Sequence, residues 1–232
     1  MIFLAKTAVK EIHVNFPKKE YLQSFIETIS NALKHVEFTL NYRQGGLRIR
    51  ITGEKDVVFE SAHLVKNLSS MFVRSTTPDN KGYYSHHLQL IQQIGSKIIS
   101  LDSLSSVLQN SGIFTSVVGQ ELVTKANMKE VQKVLSELFV LVQELPLNVR
   151  SQTMKTIILT ASYCTNYSPA FIVDQGLKYE CFRQQSGSIV INMAPEKCVE
   201  YLLQKLSDEN TKKEYDDFVE EDWSMKQLYF KE

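Results

Sequence analysis

Between Lys6 and Phe16 apolar and polar residues alternate. Ala8, Ile12, Val14 and Phe16 fall on one side, and Thr7, Glu11, His13 and Asn15 on the other, which predicts a half-buried strand. Pro17 then opens a helix over about 18–33, whose apolar residues Leu22, Phe25, Ile26, Ile29 and Leu33 recur at helical spacing. Alternation returns with Phe38, Leu40 and Tyr42, and again with Leu47, Ile49 and Ile51 after the pair Gly45-Gly46. Two such runs about paired glycines predict a hairpin. Thr52 and Gly53 are expected to break the return strand before a helix that buries Val58, Ala62, Val65 and Phe72. Residues 1–74 therefore predict a β-α-β-β-α domain.

The next stretch, STTPDNKGYYS, is polar and holds Pro78 and Gly82, so 75–86 is expected to be a linker loop. Helical patterns over 87–99 and 103–111, a short hairpin about Gly119 and a long amphipathic helix from Met128 to Leu145 predict a helix-hairpin-helix unit over 87–146. Pro146 ends that helix. Residues 147–206 predict two helices, a hairpin about Gly187 and a closing helix begun by Pro195. Ser168-Pro169 supplies a capping hydroxyl and a first-turn proline for the second of these helices. Helices followed by a short hairpin look winged-helix-like. The fold class expected is α+β: a β-α-β-β-α domain, then a mostly helical region with two short β-hairpins. A sequence of glycine turn, strand, small break and helix occurs three times, in GLRIRITGEKDVVFESAHLV, GQELVTKANMKEVQKVL and GSIVINMAPEKCVEYLL. The spacers between them are unequal, which argues against a solenoid.

Charge adds one feature. From Ser207 onward nine acidic residues face four basic ones, whereas the preceding chain has 22 basic and 17 acidic residues. A mildly basic body thus carries an acidic tail, 207–232, that retains Phe218, Trp223, Tyr229 and Phe230. Aromatics at that density are unusual for an idle acidic segment, so the four are expected to dock on a partner protein or on the chain itself. No run of apolar residues is long enough to span a membrane, and no secretory leader is expected at Met1. Three cysteines without a C-x-x-C pair suggest free thiols in a reducing, cytoplasmic setting.

Catalytic signatures are missing from the sequence. It contains no G-x-S-x-G, H-E-x-x-H, Walker A or G-x-G-x-x-G. His86 and His87 are adjacent and diverge on any regular element, and the cysteines lie 17 residues apart, so neither a metal site nor a cofactor is expected. Binding is better supported. Alternation on the first hairpin puts Thr39, Asn41, Arg43, Arg48 and Arg50 together, with no acidic residue between Thr39 and Thr52. Guanidinium groups grip phosphates bidentately. Lys18, Lys19 and Lys55 could extend the patch, and the loop residues Lys81, Tyr83, Tyr84 and His87 would suit stacking on unpaired bases. The helix Pro169–Lys178 is apolar with a single lysine, a poor reader of DNA phosphates.

The segment RIRITGEKDVVFESAHLVKNL resembles the closing strand and helix of K-homology RNA-binding domains, and the body 1–206 looks like an archaeal protein family of unknown function with such an N-terminal part. The resemblance implies a K-homology-like fold and RNA as ligand. The family's G-x-x-G clamp has no counterpart here, because Lys34-His35-Val36 leads from the first helix directly to a strand. The expectation is a non-catalytic RNA-binding protein, associated with the ribosome or another ribonucleoprotein. The alternative is a protein-interaction adaptor that uses the helical half and the tail.

Overall fold

The computed structural model describes residues 7–15, 19–43, 46–94 and 99–208. The chain divides into two compact units, Met1–Phe139 and Val140–Glu232. The first unit begins with β1 (Thr7–Asn15), a 3-10 turn (Lys19–Tyr21), α1 (Leu22–Ala32), β2 (Glu37–Arg43), β3 (Gly46–Glu54) and α2 (Lys55–Thr76). β3 is the central strand, antiparallel to β1 on one side and to β2 on the other. One face of this sheet carries Ile12, Val14, Leu47, Ile49 and Ile51 into a core closed by Phe25, Ile29 and Leu33 of α1 and Val58, Ala62, Val65, Leu68 and Phe72 of α2. Phe25 and Phe72 meet edge to face at 5.0 Å and join the two helices over the sheet. Burying each such side chain contributes about 1.5–3 kcal/mol.

Thr52 and Gly53 do not break β3. They pair with Val9 and Ala8, the strand runs to Glu54, and α2 starts at the next residue. Asp56 in the first turn complements the positive end of the helix dipole.

The expected linker over 75–86 is corrected at both ends. Ser75 and Thr76 are the last residues of α2 and are buried, the Thr76 hydroxyl donating to the Phe72 carbonyl at 2.9 Å and that of Ser75 to the Ser85 carbonyl at 3.1 Å. Hydroxyls satisfied by backbone carbonyls look like loop polarity in sequence. At the other end Tyr84–His87 is β4, paired with β6 (Glu121–Thr124), which in turn pairs with β5 (Thr115–Val118). The hairpin therefore gains a third strand from more than thirty residues upstream, a long-range pairing no local pattern reveals. Gly119 turns the hairpin at φ 61.

β4 is fastened on both sides. The Ser85 hydroxyl donates to Glu121 Oε2 at 2.6 Å, while Arg74 of α2 meets the other carboxylate oxygen at 2.6 Å. The Ser85 hydroxyl and then the Arg74 guanidinium hold the Glu121 carboxyl below its usual range. His86 is fully buried, with Nε2 3.0 Å from the Ala126 carbonyl. After β4 come α3 (Leu88–Ile94), α4 (Leu101–Asn110), the β5–β6 hairpin and α5 (Met128–Gln143), whose last turn passes into the second unit. Asn127 and Glu130 form a capping box at the start of α5, the Asn127 side chain accepting from Lys129 N at 2.9 Å and Glu130 accepting from Asn127 N at 2.6 Å. Lys129 reaches Glu20 at 2.7 Å and Gln132 donates to Ser24 at 3.0 Å, which fixes α5 beside α1.

The second unit contains α6 (Gln152–Thr165), α7 (Pro169–Lys178), the antiparallel pair β7 (Phe182–Gln185) and β8 (Ser188–Ile191), and α8 over 195–208. Ser151 and Ser168 cap α6 and α7. Ser186 and Gly187 both take positive φ, the two-residue turn that matches hairpin twist. Ile157, Ile158, Ile172, Phe182, Ile189 and Leu202 form its core together with Cys181 and Cys198. No disulfide joins the three cysteines, and burial raises the thiols of Cys181 and Cys198, that of Cys198 to about 12, which fits small packed hydrophobes rather than nucleophiles at these two positions.

Two outcomes follow from this packing. A Cβ at Gly176 would fall within the ring of Phe182. Gly176→Ala should therefore cost about 1–3 kcal/mol by overpacking, read as a lower denaturation midpoint by circular dichroism. Burial holds His86 below its ordinary value of 6.5. The unfolded chain then takes up a proton at this site as pH falls through that value while the folded chain does not, so stability should decline with acidification. His86→Leu should flatten that decline when melting temperature is followed from about pH 7.5 to about pH 5.5.

Candidate nucleic-acid interface

The face of the β1-β3-β2 sheet opposite the helices is uncovered among the described residues. Pairing lays its side chains in rows across the three strands. Glu11, Arg50 and Thr39 make one row, and His13, Arg48 and Asn41 the next. Asn15, Gly46 and Arg43 make the last. The face is electrically polarised along the strands. Glu37 and Glu54 lie at the end from which α2 departs, whereas the last two rows hold two arginines and no carboxylate.

These last two rows enclose a depression of about 630 Å³, lined by His13, Asn15, Asn41, Arg43, Gly46 and Arg48 together with the backbone at Val14 and Leu47. Glycine at the first position of the central strand makes the hollow, since its partners Asn15 and Arg43 on the two outer strands carry side chains that stand out from the sheet. A Cβ added to Gly46 would meet the Arg43 carbonyl oxygen at 3.7 Å and the Asn15 Oδ1 and Val14 carbonyl oxygen at 3.8 Å, ordinary contact distances, so a side chain could be accommodated on this floor without a clash.

One expectation about this face is corrected. The hairpin strands contribute no acidic residue between Thr39 and Thr52, but β1 brings Glu11 alongside. Glu11 Oε1 lies 3.1 Å from Arg48 Nε and 3.0 Å from His13 Nε2. Arg48 is thus partly neutralised, although its side chain remains 58% exposed. Exposed pairs of this kind are weak and readily exchanged for a phosphate. Among the described residues no carboxylate lies within ion-pairing distance of Arg43 or Arg50. The same Glu11 oxygen orients both the His13 ring and the Arg48 guanidinium at the rim of the hollow.

The other predicted residues scatter. Lys19 is exposed in the 3-10 turn that follows β1 in the chain, and it does not line the hollow. Lys55 begins α2 at the opposite end, about 30 Å from Gly46 along the strand rise, and does not extend the patch. Lys18 lies outside the described residues, as do Phe218, Trp223, Tyr229 and Phe230. The loop bearing Lys81, Tyr83, Tyr84 and His87 is not a free basic arm. Asp79 organises it by accepting from Lys81 N at 2.8 Å and Tyr83 N at 2.9 Å, and the Tyr83 backbone bond holds the Asp79 carboxyl low. Tyr83 packs on Phe114 at 5.3 Å, Tyr84 stacks on His86 at 6.2 Å, and His87 Nδ1 accepts from Gln89 N. Tyr83, Tyr84 and His87 lie on or next to the second sheet and are half-buried there.

His13, Asn15 and Gly46 are site residues that sequence reasoning missed. Alternation in β1 assigns His13 and Asn15 to the polar side, which was the available signal. That side becomes part of the site only because β1 pairs with β3 in this register. Among the described residues no group of three or more histidine, cysteine or carboxylate side chains converges as a metal would require, and no helix is long and apolar enough to cross a membrane.

Comparison with known proteins places this chain among archaeal relatives. An uncharacterized protein of Methanococcus vannielii is 26% identical over 159 residues, 67% of this chain and 76% of its own length. An uncharacterized protein of Methanocaldococcus jannaschii is 23% identical over 161 residues, 68% of this chain and 76% of its own length. A family model described as an uncharacterized protein conserved in archaea (DUF2067) matches residues 14–200, a span that runs from β1 through both units into α8. The chain belongs to that archaeal family.

Proposed function

We propose that this chain is a non-catalytic RNA-binding protein that works within a ribonucleoprotein, and that the open face of the β1-β3-β2 sheet is its RNA surface. The observation that carries this reading is the pairing of Arg43 and Arg48 on one 630 Å³ hollow, with Arg50 one row further on. Arg48 and Arg50 are separated by two residues of strand rise, about 7 Å, so successive phosphates of one backbone can be held by successive rows. The amides of Asn15 and Asn41 and the imidazole of His13 at the same end supply further hydrogen-bonding groups beside the cations, the mixture that separates positioning of a backbone from reading of its bases. The non-catalytic part of the reading rests on the sequence, which offers no recognisable nucleophile with its base.

A protein-interaction role has one specific observation in its favour. Phe114, Val117 and Val118 stand 55%, 37% and 65% exposed on and beside β5, an edge strand of the second sheet. Exposed apolar residues on an open strand edge suit a protein partner. Retention of a partner after nuclease treatment would favour this reading over the first.

Fluorescence anisotropy with RNA across a range of salt tests the RNA reading. Replacing Arg43, Arg48 and Arg50 by Ala should lower the magnitude of the logarithmic salt slope by about 2, near 0.7 for each phosphate contact on a single strand. An unchanged slope removes the sheet face from the interface. Glu11→Gln should act in the opposite direction. It deletes a negative charge beside Arg48 while keeping an acceptor, so affinity at low salt should rise by about twofold to fivefold, the size of an exposed ion pair.

A further inference from the structure

The hollow at Gly46 holds more than phosphate chemistry requires. A surface that merely tracks a backbone needs cations, and Arg43 and Arg48 supply them. The same hollow is also walled by two carboxamides, Asn15 on β1 and Asn41 on β2, and by the imidazole of His13. Each carboxamide offers a donor and an acceptor side by side, the pattern that pairs bidentately with a base edge. Both amides are on exposed residues, and among the described residues neither has a hydrogen-bond partner. The His13 ring is 61% exposed and held by Glu11 at 3.0 Å, a positioned flat surface against which a base can stack.

Geometry limits what can enter. The two outer strands lie about 10 Å apart, with the glycine floor between them. That gap takes one base with its sugar. The bases of a duplex are stacked and paired inside their grooves and cannot be lowered to the floor without being unpaired. We propose that the Gly46 hollow is a pocket for one unpaired RNA nucleotide, with phosphate on Arg43 and Arg48 and the base edge on Asn15 and Asn41. This rests on the RNA-binding reading and adds to it the state of the RNA and the part of the face that discriminates.

Gly46→Val separates the pocket from the charge, because it raises a branched side chain on the floor of the hollow and removes no arginine. Gly46 does not use a positive φ, its nearest neighbours lie at ordinary contact distance from an added Cβ, and a β-branched residue suits a central strand. Anisotropy titrations would use labelled single-stranded oligoadenylate, oligouridylate and oligocytidylate, and a short RNA duplex, with the full chain. The pocket predicts that wild type prefers single strands to duplex, and discriminates among the three bases. Gly46→Val should weaken single-strand binding about tenfold or more, the effect of losing one stacked and edge-bound base, and leave duplex binding unchanged. Asn41→Ala, at an exposed position, should weaken the preferred single strand and reduce base discrimination, so the test stands if Gly46→Val does not fold. Equal binding of duplex and single strands overturns the pocket, as does a Gly46→Val variant that is folded and binds single strands like wild type. If the triple arginine variant still loses affinity in that case, the sheet remains an RNA surface without a base pocket. Failure of wild type to bind any of the four probes overturns both readings.

Discussion

The first unit is organised by the burial of Leu47, Ile49 and Ile51, three residues of one strand at 0–1% exposure. Because β3 lies between β1 and β2, its backbone is paired on both sides and its apolar residues are roofed by α1 and α2. A strand so placed has one permissible face for each side chain. Register cannot slip by one residue without exposing this whole row. The complementary row, Gly46, Arg48 and Arg50, is forced outward by the same constraint.

That link explains how a polar site arises without any side chain being placed for its own sake. The Phe25 and Phe72 contact clamps the helices on the inner face, and the inner face dictates the phase of the outer one. The register that brings Arg48 to His13 and Asn41 also brings Glu11 within 3.1 Å of it. The site is therefore tempered as well as assembled by pairing. Its cationic character is strongest where Arg43 closes the last row, and declines toward the acidic end of the sheet.

The second sheet serves a different purpose. Arg74, Ser85 and Glu121 tie α2, β4 and β6 together through one carboxylate, and the buried imidazole of His86 bonds the chain at Ala126. The Arg74, Ser85 and Glu121 groups satisfy one another, and such networks specify a unique arrangement more than they add stability. Tyr83, Tyr84 and His87 are packed within that arrangement, so the aromatic loop is not a free arm, whereas the open sheet face carries arginines around a built concavity.

Much of the fold is legible from periodicity alone. The β-α-β-β-α order, the hairpins about Gly119 and Gly187 and the caps at Ser168 and Pro169 are local events, decided by spacing, turn chemistry and hydroxyl caps within a few residues. The outward assignment of Arg43, Arg48 and Arg50 belongs to the same class, since strand alternation needs no partner. What the sequence alone did not reveal was long-range pairing. Tyr84–His87 looks like loop until β6 pairs with it, and Ser75 and Thr76 look polar until their hydroxyls find carbonyls. Glu11, His13 and Asn15 stand next to the arginines only through the β1–β3 register, and the hollow exists only because Gly46 is set between two strands that carry side chains. Local propensity acts over a few residues, whereas a site on a sheet is a neighbourhood of residues distant in sequence, and backbone hydrogen bonds between strands decide which of them meet.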